Sequence, residues 1–320
     1  MRVLITGGFG YIGGRLAEHL QNTGHQIILG SRRPRNPPTW LPKAEVVQTD
    51  WNDACGLERI CIGVDVLIQA AGMNAQDCAA NPLAALEANG LATARLIAAA
   101  SRSRVKRFIY LSTAHVYANP LEGIITEETC PRNLHPYSTS HLAGENAALG
   151  ASLRGEIESV VLRLSNCFGA PAQRDTNCWM LLVNDLCRQA VESGKMVLSS
   201  GGLQLRDFVP LAKICRVVEH LSSGDLDPLT PAIVNVGSGV SRSVLEMAKL
   251  VRRRCSGTLG FDPELTRPEP NVDETHGNLV FRSVRLKALD ESMSEDTNAE
   301  IDGLLLFCRA SSNQNSSYRV

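Results

Sequence analysis

Apolar residues fall in short continuous runs at positions 2–6, 26–29, 45–48, 64–69, 105–111 and 159–164, rich in Val, Ile and Leu and too short for helices. Such runs read as β-strands. Longer Ala- and Leu-rich stretches with helical spacing lie between most of them. Strand–helix alternation predicts an α/β fold, a doubly wound parallel sheet. From the fourth run onward the strands are nearly continuously apolar, as a sheet covered on both faces requires. After Asn166 the regularity breaks, with Pro- and Gly-rich punctuation at 170–171, 200–202, 227–231 and 263–270. A large first domain is expected over 1–165, joined by return segments about 204–240, with a smaller α/β region over 166–203 and 241–309. Residues 310–320 turn to Ser, Asn and Gln with little to bury, which predicts a disordered tail.

The chain has 320 residues, 44% of them hydrophobic and 20% charged, an ordinary globular composition for two domains. A net charge of −1 without a basic stripe excludes nucleic acid and anionic membrane surfaces as partners. Arginines outnumber lysines 26 to six. Ten cysteines show no C-x-x-C pair and no spacing that joins histidines into a zinc site, so no metal centre is expected. The apolar start of the chain is too short for a signal-peptide core, and Arg95 interrupts the Ala-rich stretch near residues 91–100. A cytoplasmic protein is expected.

Directly after the first strand run comes Thr6-Gly7-Gly8-Phe9-Gly10-Tyr11-Ile12-Gly13, followed by a helical pattern to Asn22. Glycines here permit a tight turn and bring a helix N-terminus against a pyrophosphate, the fingerprint of a Rossmann dinucleotide site. The second strand ends in Gly30-Ser31-Arg32-Arg33 rather than in an acid for a ribose 2′-hydroxyl. A hydroxyl and forked guanidinium donors suit a 2′-phosphate, so NADP is expected in preference to NAD. Asp50, beside Trp51 after the third strand, is placed to accept from the adenine amino group.

These features, with Gln69-Ala70-Ala71-Gly72, Asn89, Leu111-Ser112-Thr113-Ala114-His115-Val116-Tyr117 and Pro136-Tyr137-Ser138-Thr139-Ser140, resemble the extended short-chain dehydrogenase/reductase family, the nucleotide-sugar epimerase/dehydratase group. The resemblance covers the chain to about residue 290. It implies that Ala70, Ala71, Gly72 and Asn89 line the cofactor, that Tyr137 is the acid/base, and that Thr113 holds the reacting oxygen, with Ala114 and His115 beside the substrate. It also implies a lysine four residues after the tyrosine, on the same helical face. Here that position is His141. An unperturbed imidazole, of pKa about 6.5, is a full cation only below that value. Three readings stay open: a working enzyme with histidine, an enzyme helped by the charge of oxidised nicotinamide, or a non-catalytic NADP-binding regulator.

In the dehydratase branch the threonine is followed by Asp-Glu, absent here, which argues against 4,6-elimination. Leu162-Arg163-Leu164-Ser165-Asn166, Arg206-Asp207-Phe208-Val209-Pro210 and Arg267-Pro268 also resemble the group, and imply that Asn166, Arg206 and Arg267 approach a sugar-nucleotide diphosphate. A dianion wants forked cationic donors. An epimerase working through a keto-sugar is expected, with an NADPH-dependent ketoreductase as the alternative. The small-residue helices about 81–101 and 136–153 imply a homodimer.

Overall fold

The computed structural model describes residues 1–224, 233–270, 277–286 and 296–317; the punctuation at 227–231 lies outside them. The chain divides into two compact units: residues 1–120, 127–164 and 215–235 form the first, and residues 121–126, 165–214 and 236–320 the second.

The first unit is built on a seven-stranded sheet. Its strands include β1 (Arg2–Thr6), β2 (Gln26–Ser31), β3 (Glu45–Gln48), β4 (Val66–Gln69) and β5 (Arg107–Thr113), in the order Ile233–Val236, Glu158–Leu164, β5, β4, β1, β2, β3. β1 pairs in parallel with both β2 and β4, and β5 with both β4 and Glu158–Leu164. The strand order therefore reverses at β1. In such sheets ligands bind beyond the carboxyl ends of the strands at that reversal, where Thr6 faces Gly30 on one side and Gln69 on the other. Leu4, Leu67, Phe108 and Val161 on the strands pack with Leu96, Ile97 and Ala148 on the helices, all buried.

β5 begins and ends two residues later than the apolar run suggests. Ser112 and Thr113 are buried and pair in register with Arg163 and Leu164, so the strand carries Thr113 as its last residue. The stretch expected as one helix is instead segmented into Pro82–Ala85, a π-helical turn over Leu86–Leu91, and Ala92–Arg102. The inserted turn buries Asn89; such π turns recur at functional sites.

In the second unit, Leu205–Pro210 pairs with Asn166–Phe168 and with Ser241–Ser243. That pairing keeps 204–214 out of the first unit, and the return segment narrows to 215–235 from the expected 204–240. Phe168, Leu186, Phe208, Met247 and Leu304 form its core. The helix Asp296–Ser317 covers residues 310–317 of the segment expected to be a disordered tail, and residues 318–320 lie outside the described residues. Ile301, Leu304, Leu305 and Cys308 anchor the helix, and backbone hydrogen bonding propagates from them into the polar end. Arg174 donates to the Ala310 carbonyl at 2.9 Å and the Ser311 hydroxyl to that of Phe307 at 2.9 Å.

Candidate active site

The glycine loop leads from β1 into α1 (Tyr11–Asn22). Gly7 adopts a φ of +65°, and a Cβ there would lie 2.8 Å from the Ala71 backbone, while one at Gly13 would meet the Gly7 carbonyl at 2.3 Å. Only glycine permits this approach of the loop to the 70–71 segment. Gly10 caps α1 without a side-chain hydrogen bond, and no acid occupies the first helical turn. This end of the helix thus keeps a positive potential with no carboxylate to quench it, which fits a pyrophosphate.

At the end of β2 the Ser31 hydroxyl accepts from the Arg33 amide at 3.3 Å, and the guanidiniums of Arg32 and Arg33 are exposed. Arg35, which sequence reasoning missed, lies over the Phe9 ring at 4.9 Å, a cation–π contact tying this basic loop to the glycine turn. The signal was present, three residues beyond Arg32. Asp50 accepts from the Asn52 amide at 2.9 Å in a local turn, and the Trp51 carbonyl accepts from Arg95 at 3.1 Å.

The catalytic candidates gather on the Pro136–Leu153 helix and β5. Pro136 opens the helix and His135 Nδ1 accepts from the Tyr137 amide at 3.2 Å, placing Tyr137 in the first turn. Thr113 Oγ1 accepts from the His115 amide at 3.1 Å. The His115 carbonyl in turn accepts from the Ser138 hydroxyl at 2.9 Å and from Asn133 Nδ2 at 2.7 Å. The turn after Thr113 is thereby bonded to the helix one residue past Tyr137. The Tyr137 and His141 rings meet edge-on with centroids 4.6 Å apart. Asn89 spends its amide inside the protein: Oδ1 accepts from the Met73 amide at 2.8 Å and Nδ2 donates to the Ser140 hydroxyl at 3.0 Å. It clamps the loop after β4 to the helix beside His141. A Cβ built on Gly72 would sit 3.2 Å from Asn89 Oδ1 and 4.0 Å from His141 Nε2.

In the second unit, Asn166 Nδ2 donates to the Asp207 carbonyl at 2.9 Å, leaving its oxygen to other donors. Arg206 donates to Gln204 at 3.0 Å, and burial lowers its pKa from the ordinary arginine value. Its neighbour Asp207 turns to the other face of the strand, where it accepts from Ser165, Ser238 and the Gly239 amide, so no ion pair neutralises Arg206 from next door. Across the strand pair Arg206 stands opposite Arg242. Directly opposed like charges destabilise a sheet, and two arginines in register carry the forked donors that suit an anion. Arg242 was missed because its significance lies in register. Arg267 is exposed and donates to the Gly201 carbonyl.

Residues 3–237 match the profile of the NAD dependent epimerase/dehydratase family. The chain belongs to this family. A putative UDP-glucose 4-epimerase of Methanocaldococcus jannaschii is 27% identical over 281 residues, spanning 86% of this chain and 88% of that protein. The dTDP-6-deoxy-L-talose 4-dehydrogenase (NAD(P)(+)) of Kitasatospora kifunensis is 29% identical over 282 residues, 86% of this chain and 85% of its own. Among solved structures, MoeE5 in complex with UDP-glucuronic acid and NAD is 25% identical, with a TM-score of 0.78 over 97% of this chain and 100% of that one. Relatives in this family are NAD-dependent epimerases, dehydratases and dehydrogenases, and neighbouring structures bind sugar nucleotides.

The electrostatics of His141 follow from its burial. Burial lowers its pKa to about 4, so the imidazole is neutral at physiological pH. The unfolded chain takes up a proton near pH 6.5 that the folded protein refuses until about pH 4. Stability is therefore complete above 6.5 and falls as pH drops toward 4, by roughly 3 kcal/mol in all. His141→Gln should remove a slope of about 1.4 kcal/mol per pH unit in this window. Urea denaturation between pH 4.5 and 7 checks this, and an unchanged slope would place the acid sensitivity elsewhere.

Proposed function

We propose that this chain is a nucleoside-diphosphate-sugar epimerase that works by reversible oxidation of one sugar carbon through a keto-sugar. The supporting observation is the joined turn of Thr113 and Tyr137, together with a fully buried, apolar Ala114 where an eliminating enzyme would carry an acid. The Tyr137 oxygen, in its phenolate form, takes the proton of the reacting hydroxyl to become the phenol and later returns it. Thr113 Oγ1 receives the His115 amide on a lone pair, which frees its own proton to bind the reacting oxygen. Asn166, Arg206 and Arg267 are proposed diphosphate ligands, and Arg206, half-buried and with no carboxylate partner among the described residues, supports this best. The glycine loop, residues 70–72 and His141 would hold the nicotinamide nucleotide. When bound, the cofactor supplies a two-electron hydride acceptor and donor and, in its oxidised form, one positive charge.

The test is incubation with a panel of uridine and thymidine diphosphate sugars. Conversion to an epimer without net change in the absorbance of reduced cofactor is expected. NADPH consumption equal to product formed would instead make the protein a ketoreductase, the reading favoured by Ser31-Arg32-Arg33.

We infer a preference for NADP, supported by the absence of an acid at the end of β2 and by the exposed Arg32 and Arg33 there. Arg32→Ala should weaken NADPH binding about tenfold and NADH binding less than about twofold. Equal losses in fluorescence titrations would make the arginine an ordinary surface charge. The homodimer reading is supported by exposed apolar side chains on the two expected helices, Leu83 at 69% and Leu153 at 89%; light scattering at the monomer mass of 34.6 kDa would count against it. No helix among the described residues is long and apolar enough to cross a membrane. Ten free thiols support a reducing, cytoplasmic setting, which fractionation would check.

A further inference from the structure

The geometry points to Tyr110 as a positioning residue that fixes His141 in a single neutral tautomer, with Nδ1 accepting the Tyr110 proton and the Nε2–H left as a donor toward the Gly72 segment. The inference deepens the proposed function, resting on the reading that Tyr137 and His141 face a bound nicotinamide nucleotide.

Tyr110 is 1% exposed, in the middle of β5, and its hydroxyl lies 3.0 Å from His141 Nδ1. A phenol has one proton to give. The competing partners are the Asn89 carbonyl at 3.4 Å, which the Thr93 hydroxyl already engages at 2.7 Å, and the Thr93 oxygen itself, which accepts from Gln69 Nε2 at 3.3 Å. The least engaged acceptor is the imidazole nitrogen. Burial and the nearby Glu145 carboxylate push the Tyr110 pKa well above 10, so the phenol keeps its proton throughout the working range. With Nδ1 accepting, the single proton of a neutral ring sits on Nε2. That atom lies 4.0 Å from a Cβ built on Gly72, on the side where the loop after β4 carries no side chain.

The helix makes room for this contact. A Cβ on Gly144 would lie 2.6 Å from the Tyr110 hydroxyl and 2.6 Å from the Asn89 carbonyl, so glycine there opens the space the phenol fills. An uncharged Tyr110–His141 relay thus presents one oriented N–H where a lysine would present an ammonium group. Lysine rotates freely about its stem and needs no such partner; an imidazole does, because its wrong tautomer would offer a lone pair to a ribose hydroxyl instead of a proton.

The experiment is long-range ¹H–¹⁵N spectroscopy of histidine-labelled full-length protein near pH 7, with His141→Gln identifying the resonance. A protonated Nε2 and an unprotonated, hydrogen-bonded Nδ1 are expected, and Tyr110→Phe should convert this into an averaged mixture. A proton on Nδ1 in the wild type overturns the assignment, as does a spectrum unaffected by Tyr110→Phe; the wild-type spectrum decides alone if the variant does not fold. As a second readout, Tyr110→Phe should weaken NADPH or NADH binding about fivefold, the equivalent of one hydrogen bond, and less than about 1.5-fold when His141→Gln is already present. Additive losses overturn the coupling. The expected tautomer in a protein that converts no sugar nucleotide overturns the proposed reaction and upholds the Tyr110 assignment.

Discussion

Tyr137→Phe is expected to lower sugar-nucleotide turnover by about 10³-fold while cofactor affinity changes less than about twofold, because a positioned general acid/base contributes on the order of 10² to 10⁴. The substitution removes one oxygen and leaves the ring edge against His141. The large loss follows from the place of this phenol in the proton path. His141 is neutral, and burial holds it so. Tyr137 sits in the first turn of the Pro136–Leu153 helix, whose dipole places positive potential at that end. Side chains in a first turn lean back toward that end. Stopped-flow turnover and fluorescence titration of the same preparation separate the two quantities. A variant that keeps a tenth or more of wild-type turnover would remove Tyr137 from the proton path.

The parts of this site that depend on local sequence were legible. The glycine turn is written in seven consecutive residues, and Gly7 and Gly13 are required there by contacts a Cβ would violate. The Tyr137–His141 juxtaposition follows from helical spacing alone. What the sequence could not display were pairings between distant segments. Arg206 becomes notable through its register with Arg242, and Asp207 is removed from it by strand alternation. Tyr110 reads as one more apolar position in a buried strand. Its role exists only because Gly144 and Asn89, from two other elements, leave a nitrogen of His141 within reach. The π turn at Leu86–Leu91 is harder to read, since the helix-breaking pair Asn89-Gly90 is its one local sign and says nothing of a π turn. Where the apolar pattern faded, the limits of elements shifted. β5 continues through Ser112 and Thr113 because sheet hydrogen bonding, rather than hydrophobicity, ends it.

Glu145→Ala should destabilise the protein by about 3–5 kcal/mol, the cost of leaving one member of a buried ion pair behind. Glu145 is fully buried and Arg163 is 3% exposed. Arg163 Nη2 donates to Glu145 Oε2 at 2.6 Å and Nε donates at 3.1 Å, a two-point clamp that the Ser112 hydroxyl joins at 2.5 Å. The Arg163 guanidinium also lies over the Tyr117 ring at 4.7 Å, and Tyr117 donates to Asn235 at 2.8 Å. Removing the carboxylate leaves the buried cation with no counter-charge among these groups and Tyr117 as a neutral neighbour. Glu145 lies one helical turn beyond His141 and two beyond Tyr137, so the clamp also sets the rotation of the helix that presents both. Loss of stability should therefore come with a fall in turnover larger than the unfolded fraction explains. Replacing both partners with Met removes the stranded charge, and should recover much of the stability without recovering turnover, since nothing then fixes helix rotation. Denaturant melts and specific activity on the three proteins test this. If the double variant regains full activity, helix rotation is set by packing alone, and the ion pair has no part in shaping the site.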